Sequence, residues 1–205
     1  IEARTHQLQR ANHELQAEVL ERKRAEKLQR ALFRIAELSI TSESLQGFYA
    51  DVHALVDELL DARNFYIALL SDDGETLDFP YSIDERDPMR LSRKLTNGLT
   101  EYVIPSRTPL LADRNRLLEL GRQGKVHEYG SHACSWLGVP LFRDEEVVGV
   151  LAVQSYSPEV SFSPHDQNLL TFVAHNIGNG LARQRAQEHL RMAHAELERR
   201  VEART

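Results

Sequence analysis

The chain has 205 residues, 41% of them apolar, a single cysteine and a net charge of −6. That is enough apolar material for one ordinary core, and one cysteine rules out an intramolecular disulfide framework, which fits a reducing, cytoplasmic setting. The charge is uneven: residues 1–38 carry eight basic and six acidic side chains and residues 182–205 six and four, +2 in each case, which leaves −10 for 39–181. An acidic middle excludes the usual non-specific nucleic-acid binder, whose affinity comes from basic side chains that displace counterions. No apolar run approaches the ~20 residues needed to cross a bilayer. The first residue is Ile1 rather than Met, so the sequence reads as a piece of a longer protein.

Residues 1–38 read as one linker helix, since Gly and Pro are absent from Ile1 through Gln46. Leu8 and Leu15 fall at d positions of a heptad repeat, with Asn12 and Val19 at a. A buried Asn at a fixes the register of a two-stranded coiled coil. After Val19 the repeat falls on Arg22 and Glu26, and apolar residues resume at Leu28, Leu32, Ile35 and Leu38 in a shifted phase, as a stutter would produce. The expected partner is a second copy of the chain in a parallel homodimer; the alternative is a solvated amphipathic helix.

Thr41 to Ser44 supplies capping residues, and Leu45 to Asp61 reads as a second helix. Asn64 to Ser71 (NFYIALLS) reads as a strand buried on both faces, Asp72-Asp73-Gly74 as a tight turn, and Thr76 to Tyr81 as the returning strand with Leu77, Phe79 and Tyr81 on one face. Residues 82–98 are a charged loop. Leu99 to Ser106 and Arg114 to Gln123 read as short helices, the second ended by Gly124. Ser135 to Tyr156 (SWLGVPLFRDEEVVGVLAVQSY) is a β-hairpin of two β-branched-rich arms around a charged turn, the central pair of a buried sheet. Ser163-Pro164-His165-Asp166 then starts a helix with an N-cap Ser, Pro at the first helical position and an acidic third residue. No Pro follows, so this helix runs toward Thr205. Gly178 and Gly180 inside it point to close approach of another helix. Leu169, Leu170, Val173, Ile177 and Leu181 form its inner face. Ile177 and Leu181 lead on to Leu190, Leu197 and Val201, a second seam to be shared with the other copy. The chain opens IEART and closes VEART, as if one linker were reused in series.

This order of elements resembles a GAF domain over residues 39–181. The residues that carry the likeness are NFYIALLSDDG, GLTEYVI with TPLLAD, SWLGVPL with VVGVLAVQSY, and DQNLLTFVAHNIGNGLAR. The ERKRAEKLQRA segment looks like linkers that precede sensory domains in bacterial sensor kinases and cyclic-di-GMP enzymes. The resemblance implies an α+β fold: a central antiparallel sheet with helices packed on one face, a ligand pocket on the other, and long N- and C-terminal helices (1–38 and 182–205) that dimerise. Family ligand signatures are missing. The Asn-Lys-Phe-Asp type of cyclic-nucleotide-binding members has no counterpart, because no Lys follows an Asn in this chain. Bilin-binding members place Cys directly before His, whereas this chain reads His132-Ala133-Cys134-Ser135. Neither bilin nor a metal is expected, and the cofactor, if any, is unknown.

Tyr66, Phe79, Tyr81, Tyr102 and Trp136, with Cys134, are the candidate pocket residues, since aromatic groups with polar handles suit a flat ligand. The same aromatics serve equally as core. Asp84-Glu85-Arg86-Asp87 with Arg90, Arg93 and Lys94 reads either as a lid with charged ligand contacts or as a solvated loop. His127, His132 and Cys134 fall short of a zinc set, which needs three or four convergent ligands. His194-Ala195-Glu196-Leu197 lacks the Arg and Pro of a kinase phosphoacceptor, and no GG[DE]EF signature occurs. No catalytic residue is assigned. The expected function is a sensory or relay module of a bacterial signalling protein, in which a small molecule or an upstream signal acts through the terminal helices on an output domain in cis. A diguanylate cyclase or phosphodiesterase is the favoured output and a histidine kinase the next; a ligand-free dimerisation spacer is the alternative.

Overall fold

The computed structural model describes residues 2–127 and 133–202. His132 and parts of both terminal repeats lie outside these residues, and Leu8 and Val201 are described in backbone only. In chain order the elements are α1 (Glu2–Thr41), α2 (Leu45–Asp57), β1 (Asn64–Leu70), β2 (Thr76–Ile83), β3 (Arg93–Lys94), α3 (Leu99–Ser106), β4 (Leu110–Asp113), α4 (Arg114–Arg122), β5 (Ser135–Arg143), β6 (Glu146–Ser155) and α5 (Pro164–Glu202). The strands form one sheet in the order β3-β2-β1-β6-β5-β4, antiparallel at every step.

The hairpin arms are continuously apolar because they serve two cores. Alternate residues of a strand point to opposite faces. Leu137, Val139, Leu141, Leu151 and Val153 join Phe65 and Ile67 under α2, α5 and the second half of α1. Trp136, Val150 and Ala152 join Tyr66, Ala68 and Leu77 on the other face, which α3 and α4 cover through Val103, Leu117 and Leu120. The turn is Asp144-Glu145, with Asp144 in the left-handed region at φ 55°. Asp is one of the residues that tolerate that region.

One strand departs from simple alternation. Ile67 faces Tyr81 but Leu69 faces Asp78, so β2 holds one extra residue at Phe79-Pro80. Pro lacks the N–H a ladder needs and is accommodated at such a bulge. The bulge reverses the facing of the residues beyond it. Leu77 and Phe79 pack on the α3/α4 side and Tyr81 on the α2 side, instead of all three sharing one face.

α5 begins as its sequence directs. Ser163 Oγ accepts from Asp166 N–H at 3.2 Å, and Asp166 Oδ2 accepts from Ser163 N–H at 2.7 Å, a reciprocal cap. The helix lies closest to the sheet at Gly178, where a Cβ would overlap the carbonyl oxygen of Phe142 on β5. At Gly180 a Cβ would meet Phe48 of α2 at 3.1 Å. Close helix–helix approach therefore accounts for Gly180, whereas Gly178 admits a strand. Ile177 is wholly buried in this chain's own core and Leu181 packs against it, which withdraws Ile177 from any seam between copies.

α1 and α5 run side by side in the same direction. Leu28 of α1 shares a groove with His165 and Leu169 at the start of α5, and Arg183 Nη2 on α5 donates to Ser42 O just past α1 at 2.8 Å. α1 thus enters at one end of the domain and α5 leaves at the other. Replacing Gly178 by Ala in an open helix interior gains about 1 kcal/mol. Here the Phe142 carbonyl opposes it, so Gly178→Ala is expected to lose about 1–3 kcal/mol, the usual cost of overpacking. Urea unfolding of the two proteins measures the difference; a gain in stability would mean that α5 does not sit this close to β5.

Candidate functional site

The α3/α4 face of the sheet carries several of the polar side chains that the fold buries, among them Asp84, Thr100 and Gln154. Tyr66 on β1 and Trp136 on β5 lie at its centre, 3% and 1% exposed. Trp136 lies flat across its neighbour two residues on: a Cβ at Gly138 would overlap the indole ring. Trp136 Nε1 donates to Tyr66 Oη at 3.3 Å, and Tyr66 Oη shares a hydrogen bond of 3.0 Å with Thr100 Oγ1 in the first turn of α3. Phe79 stands edge-on to Tyr66 at 6.0 Å, and Tyr102 packs in the same layer.

Beside the aromatic pair is a buried carboxylate. The Asp84 side chain is only 1% exposed. Its Oδ1 accepts from the backbone N–H groups of Arg86 at 2.8 Å and Asp87 at 2.9 Å, and from Tyr156 Oη at 2.8 Å. Its Oδ2 accepts from Gln154 Nε2 at 2.6 Å and Arg90 Nη2 at 3.1 Å. Burial alone would raise the Asp84 pKa; these donors outweigh it and hold the carboxyl below its ordinary value. Burial first, then the hydrogen bond and charge of Asp84, push the Tyr156 phenol well above its own. Arg90 continues over the face of Tyr66, 4.1 Å from the ring centroid, and Arg86 covers Tyr156 at 4.2 Å. A guanidinium over an aromatic ring gains cation–π attraction while keeping its outer N–H groups free. Two buried polar atoms beside Tyr66 have no hydrogen-bond partner among the described residues, Arg90 Nε and Ser82 Oγ, the latter on the β2 residue paired with Tyr66.

The loop 84–92 is thus pinned to the sheet through Asp84 and Arg90, while its other side chains are exposed. Asn64 on β1 fastens it, accepting from Glu85 N–H at 2.8 Å and donating to Glu85 Oε2 at 3.0 Å and Gln154 O at 3.1 Å. Its far end is held by Glu101, the third residue of α3, which accepts from Arg93, from Thr96 N–H and from Thr96 Oγ1.

Of the candidate pocket residues, the fold brings Tyr66, Phe79, Tyr102 and Trp136 together. Tyr81 is on the opposite face for the reason of the bulge: its Oη meets His53 Nδ1 at 2.9 Å, His53 Nε2 meets Ala62 O at 2.7 Å, and its ring packs edge-on to Phe65. Because a carbonyl only accepts, His53 carries its proton on Nε2 and Tyr81 donates to Nδ1. Cys134 lines a separate shallow cleft with Arg114 and Pro158, with its Sγ 3.4 Å from Tyr156 O. Asp84, Gln154 and Tyr156 are the residues sequence reasoning does not single out as a unit. The available signal is parity: residues 152, 154 and 156 share a face with Trp136, which pairs with Gln154. Among the described residues, no group of three His, Cys, Asp or Glu is placed to hold a metal.

A family model described as GAF domain matches residues 44–181. The chain belongs to the GAF domain family. Solved structures similar to this GAF domain share its fold at low identity. The GAF domain of a phosphoenolpyruvate-protein phosphotransferase from Coxiella burnetii is 18% identical, with a TM-score of 0.66 over 80% of this chain and 98% of that one. Residues 122 to 287 of a methyl-accepting chemotaxis protein are 14% identical, TM-score 0.61, over 73% and 95%. Free methionine-R-sulfoxide reductase from Neisseria meningitidis, solved in complex with its substrate, is 17% identical, TM-score 0.60, over 77% and 90%. No curated protein matches the sequence.

Asp84→Asn keeps the shape of the carboxylate but removes the charge that five donors converge on. The expected cost is about 3–5 kcal/mol, the range for breaking a buried ion pair. The pH dependence has a definite sign. A folded-state pKa below the unfolded value of about 3.9 adds stability that is complete above that value and is lost as pH falls through the folded pKa. Denaturant midpoints from pH 7 to pH 2 should therefore fall more steeply for the parent protein than for Asp84→Asn, and equal slopes would contradict the placement of Asp84.

Proposed function

We propose that this GAF domain is the sensory or relay module of a larger bacterial signalling protein in the cytoplasm. In this reading a small molecule is received on the α3/α4 face and its effect leaves along α5 to an output domain in cis. The observation that carries the reading is the division of labour across one sheet. Trp136, Tyr66, Arg90 and Asp84 occupy one face, while α1 and α5 grip the other and leave in line at opposite ends. β1, β5 and β6 belong to both layers, so a change in how Tyr66 or Trp136 packs is felt by Phe65 or Leu137 under the helices. A ligand shifts such an equilibrium only by as much as its affinities for the two packings differ.

A diguanylate cyclase or a phosphodiesterase acting on cyclic-di-GMP is the favoured output, on the likeness of residues 21–31 to linkers in such enzymes; a histidine kinase is next. Likeness to a chemotaxis protein and to a phosphotransferase-system GAF domain supports a signalling setting in general. Likeness to a methionine-sulfoxide reductase raises a catalytic alternative. Against it stands the single cysteine, Cys134, in a chemistry that relies on several.

A second reading has its own observation. Trp136 already covers the middle of the face, as it would in a ligand-free spacer. Thermal unfolding across panels of nucleotides, amino acids and small carboxylic acids separates the two. Under the sensory reading at least one compound raises Tm in proportion to the logarithm of its concentration, by about 2.7 kcal/mol of stability at 100 times Kd. Arg90→Met abolishes that response while leaving the fold intact by circular dichroism. If no panel member moves Tm, the spacer reading stands instead.

A further inference from the structure

Hydrogen-bond donors outnumber acceptors around Tyr66. Trp136 Nε1 donates to Tyr66 Oη, and Tyr66 shares one further bond with Thr100 Oγ1. Whichever hydroxyl donates in that bond, the other keeps a proton with no acceptor among the described residues. The Arg90 guanidinium lies over the same ring, with Nη2 committed to Asp84 and Nε–H buried and unpaired among the described residues. Ser82 sits opposite Tyr66 on β2 and so projects to the same face. Its hydroxyl is buried and equally unpaired. Three donor protons thus flank one aromatic ring with nothing in the described chain to receive them. A buried donor without a partner is costly, and folded proteins keep few of them.

We infer that this cluster receives the carboxylate of a small monocarboxylic acid. The inference rests on the sensory reading of the α3/α4 face and names the chemistry of its ligand. An ionised carboxylate accepts at both oxygens and brings no donor of its own, so it corrects an excess of donors. An amide, an alcohol or an ammonium group adds protons that need acceptors in turn. A guanidinium is also the side chain whose planar N–H fork matches a carboxylate best. The charge agrees. Glu101 is paired with Arg93, and Glu85 lies beside Arg63. Asp87 gives Asp84 its backbone N–H and turns its side chain to solvent. Arg86 over Tyr156 and Arg90 over Tyr66 are left beside one carboxylate, Asp84, a surplus of one positive charge that one anion balances.

The rest of the acid is short and apolar. A second charge, as in a dicarboxylate or a phosphate ester, finds no cation to meet it, since Arg93 is committed to Glu101. The surfaces beside the cluster are the ring of Tyr66 and the edge-on ring of Phe79, which suit an aliphatic chain. Arg90 is the part of the cluster that reaches solvent: its side chain is 19% exposed, whereas Tyr66 and Thr100 are buried. The acid therefore enters past Arg90.

Trp136 is the single tryptophan of the chain, and its N–H bonds Tyr66, so its fluorescence reports on the cluster. Titration of the full chain with acetate and with butyrate at constant ionic strength is expected to shift this emission saturably and to raise Tm. Butyramide should bind at least about 10-fold more weakly than butyrate, and butylammonium not at all. Ser82→Ala separates binding from folding, because it removes an unpaired hydroxyl. The free variant should be as stable as the parent or more so, while its Kd for butyrate rises about 5- to 10-fold. Arg90→Gln should remove the response. Parent-like butyrate affinity in both variants would mean an adventitious ion only and would overturn the inference. Butyramide binding as tightly as butyrate, or a free Ser82→Ala protein less stable than the parent, would overturn it as well. If neither acid binds while another compound raises Tm, the inference fails and the sensory reading stands; if no compound of any class binds, both fail.

Discussion

Three strands, β1, β6 and β5, are buried on both sides, and the rest of the molecule is arranged to cover them. Each such strand presents two hydrophobic faces, and neither can be left to water: burial of apolar area stabilises by roughly 25 cal/mol per Å². One face is closed by α2, α5 and half of α1, all long enough to lie along the sheet. The other is closed by two short helices, Leu99–Ser106 and Arg114–Arg122, which do not span it. The strap from Asp84 to Arg90 and the indole of Trp136 make up the difference. Polar chemistry gathers on that side because incomplete helical cover leaves room for side chains that must find hydrogen-bond partners.

The close approach of α5 sharpens this asymmetry. Gly178 lets the helix backbone reach the Phe142 carbonyl, and Ile177 and Val173 on either side drop into the core. A helix seated so closely on a sheet has little freedom to slide without unpacking, because protein interiors are as dense as organic crystals. The α5 segment beyond Arg183 lacks this anchoring, and its Leu190, Met192 and Leu197 are exposed. The helix thus passes from a clamped half to a free half within one continuous element, with the Arg183–Ser42 hydrogen bond at the boundary.

Much of this is legible in the sequence, and the misses have specific causes. The strands rich in Val, Leu and Ile, the reciprocal cap at Ser163 and Asp166, and the short helices at Leu99 and Arg114 announce themselves through local signals. β3 and β4 do not: two and four residues long, they are strands only because a neighbour offers its edge. Alternation places Tyr81 with Leu77 and Phe79, and alternation fails wherever a bulge inserts a residue; Pro80 is the clue. Asp84 reads only as part of a charged loop, since charge in a loop ordinarily means solvent. Its burial depends on donors from residues up to 72 positions away, Tyr156 and Gln154, which local patterns do not connect. The shifted apolar phase at Leu28 is real, but period alone does not reveal whether a stripe faces its own chain or another.

The Asp84 network also bears on how the two faces communicate. Gln154 donates its side chain to Asp84 on the strap side, while its own backbone pairs with Asn64 of β1, and its neighbour Val153 lies in the core beneath α5. Asn64 in turn holds Glu85 of the strap. Strap, strand edge and helix-side core therefore meet within a few residues at one end of β1 and β6. A group that draws Arg90 away from Asp84 leaves a buried carboxylate short of one donor, and the cost of an under-paired buried charge is large compared with the few kcal/mol that separate alternative packings. The economical response is for the strap to move as a unit with Asp84, pulling on Gln154 and Asn64 rather than leaving the charge behind. Under the proposed sensory reading, the mechanical link between the two faces would sit at Asn64 and Gln154, with Trp136, flat over Gly138, as the surface against which such movement is set.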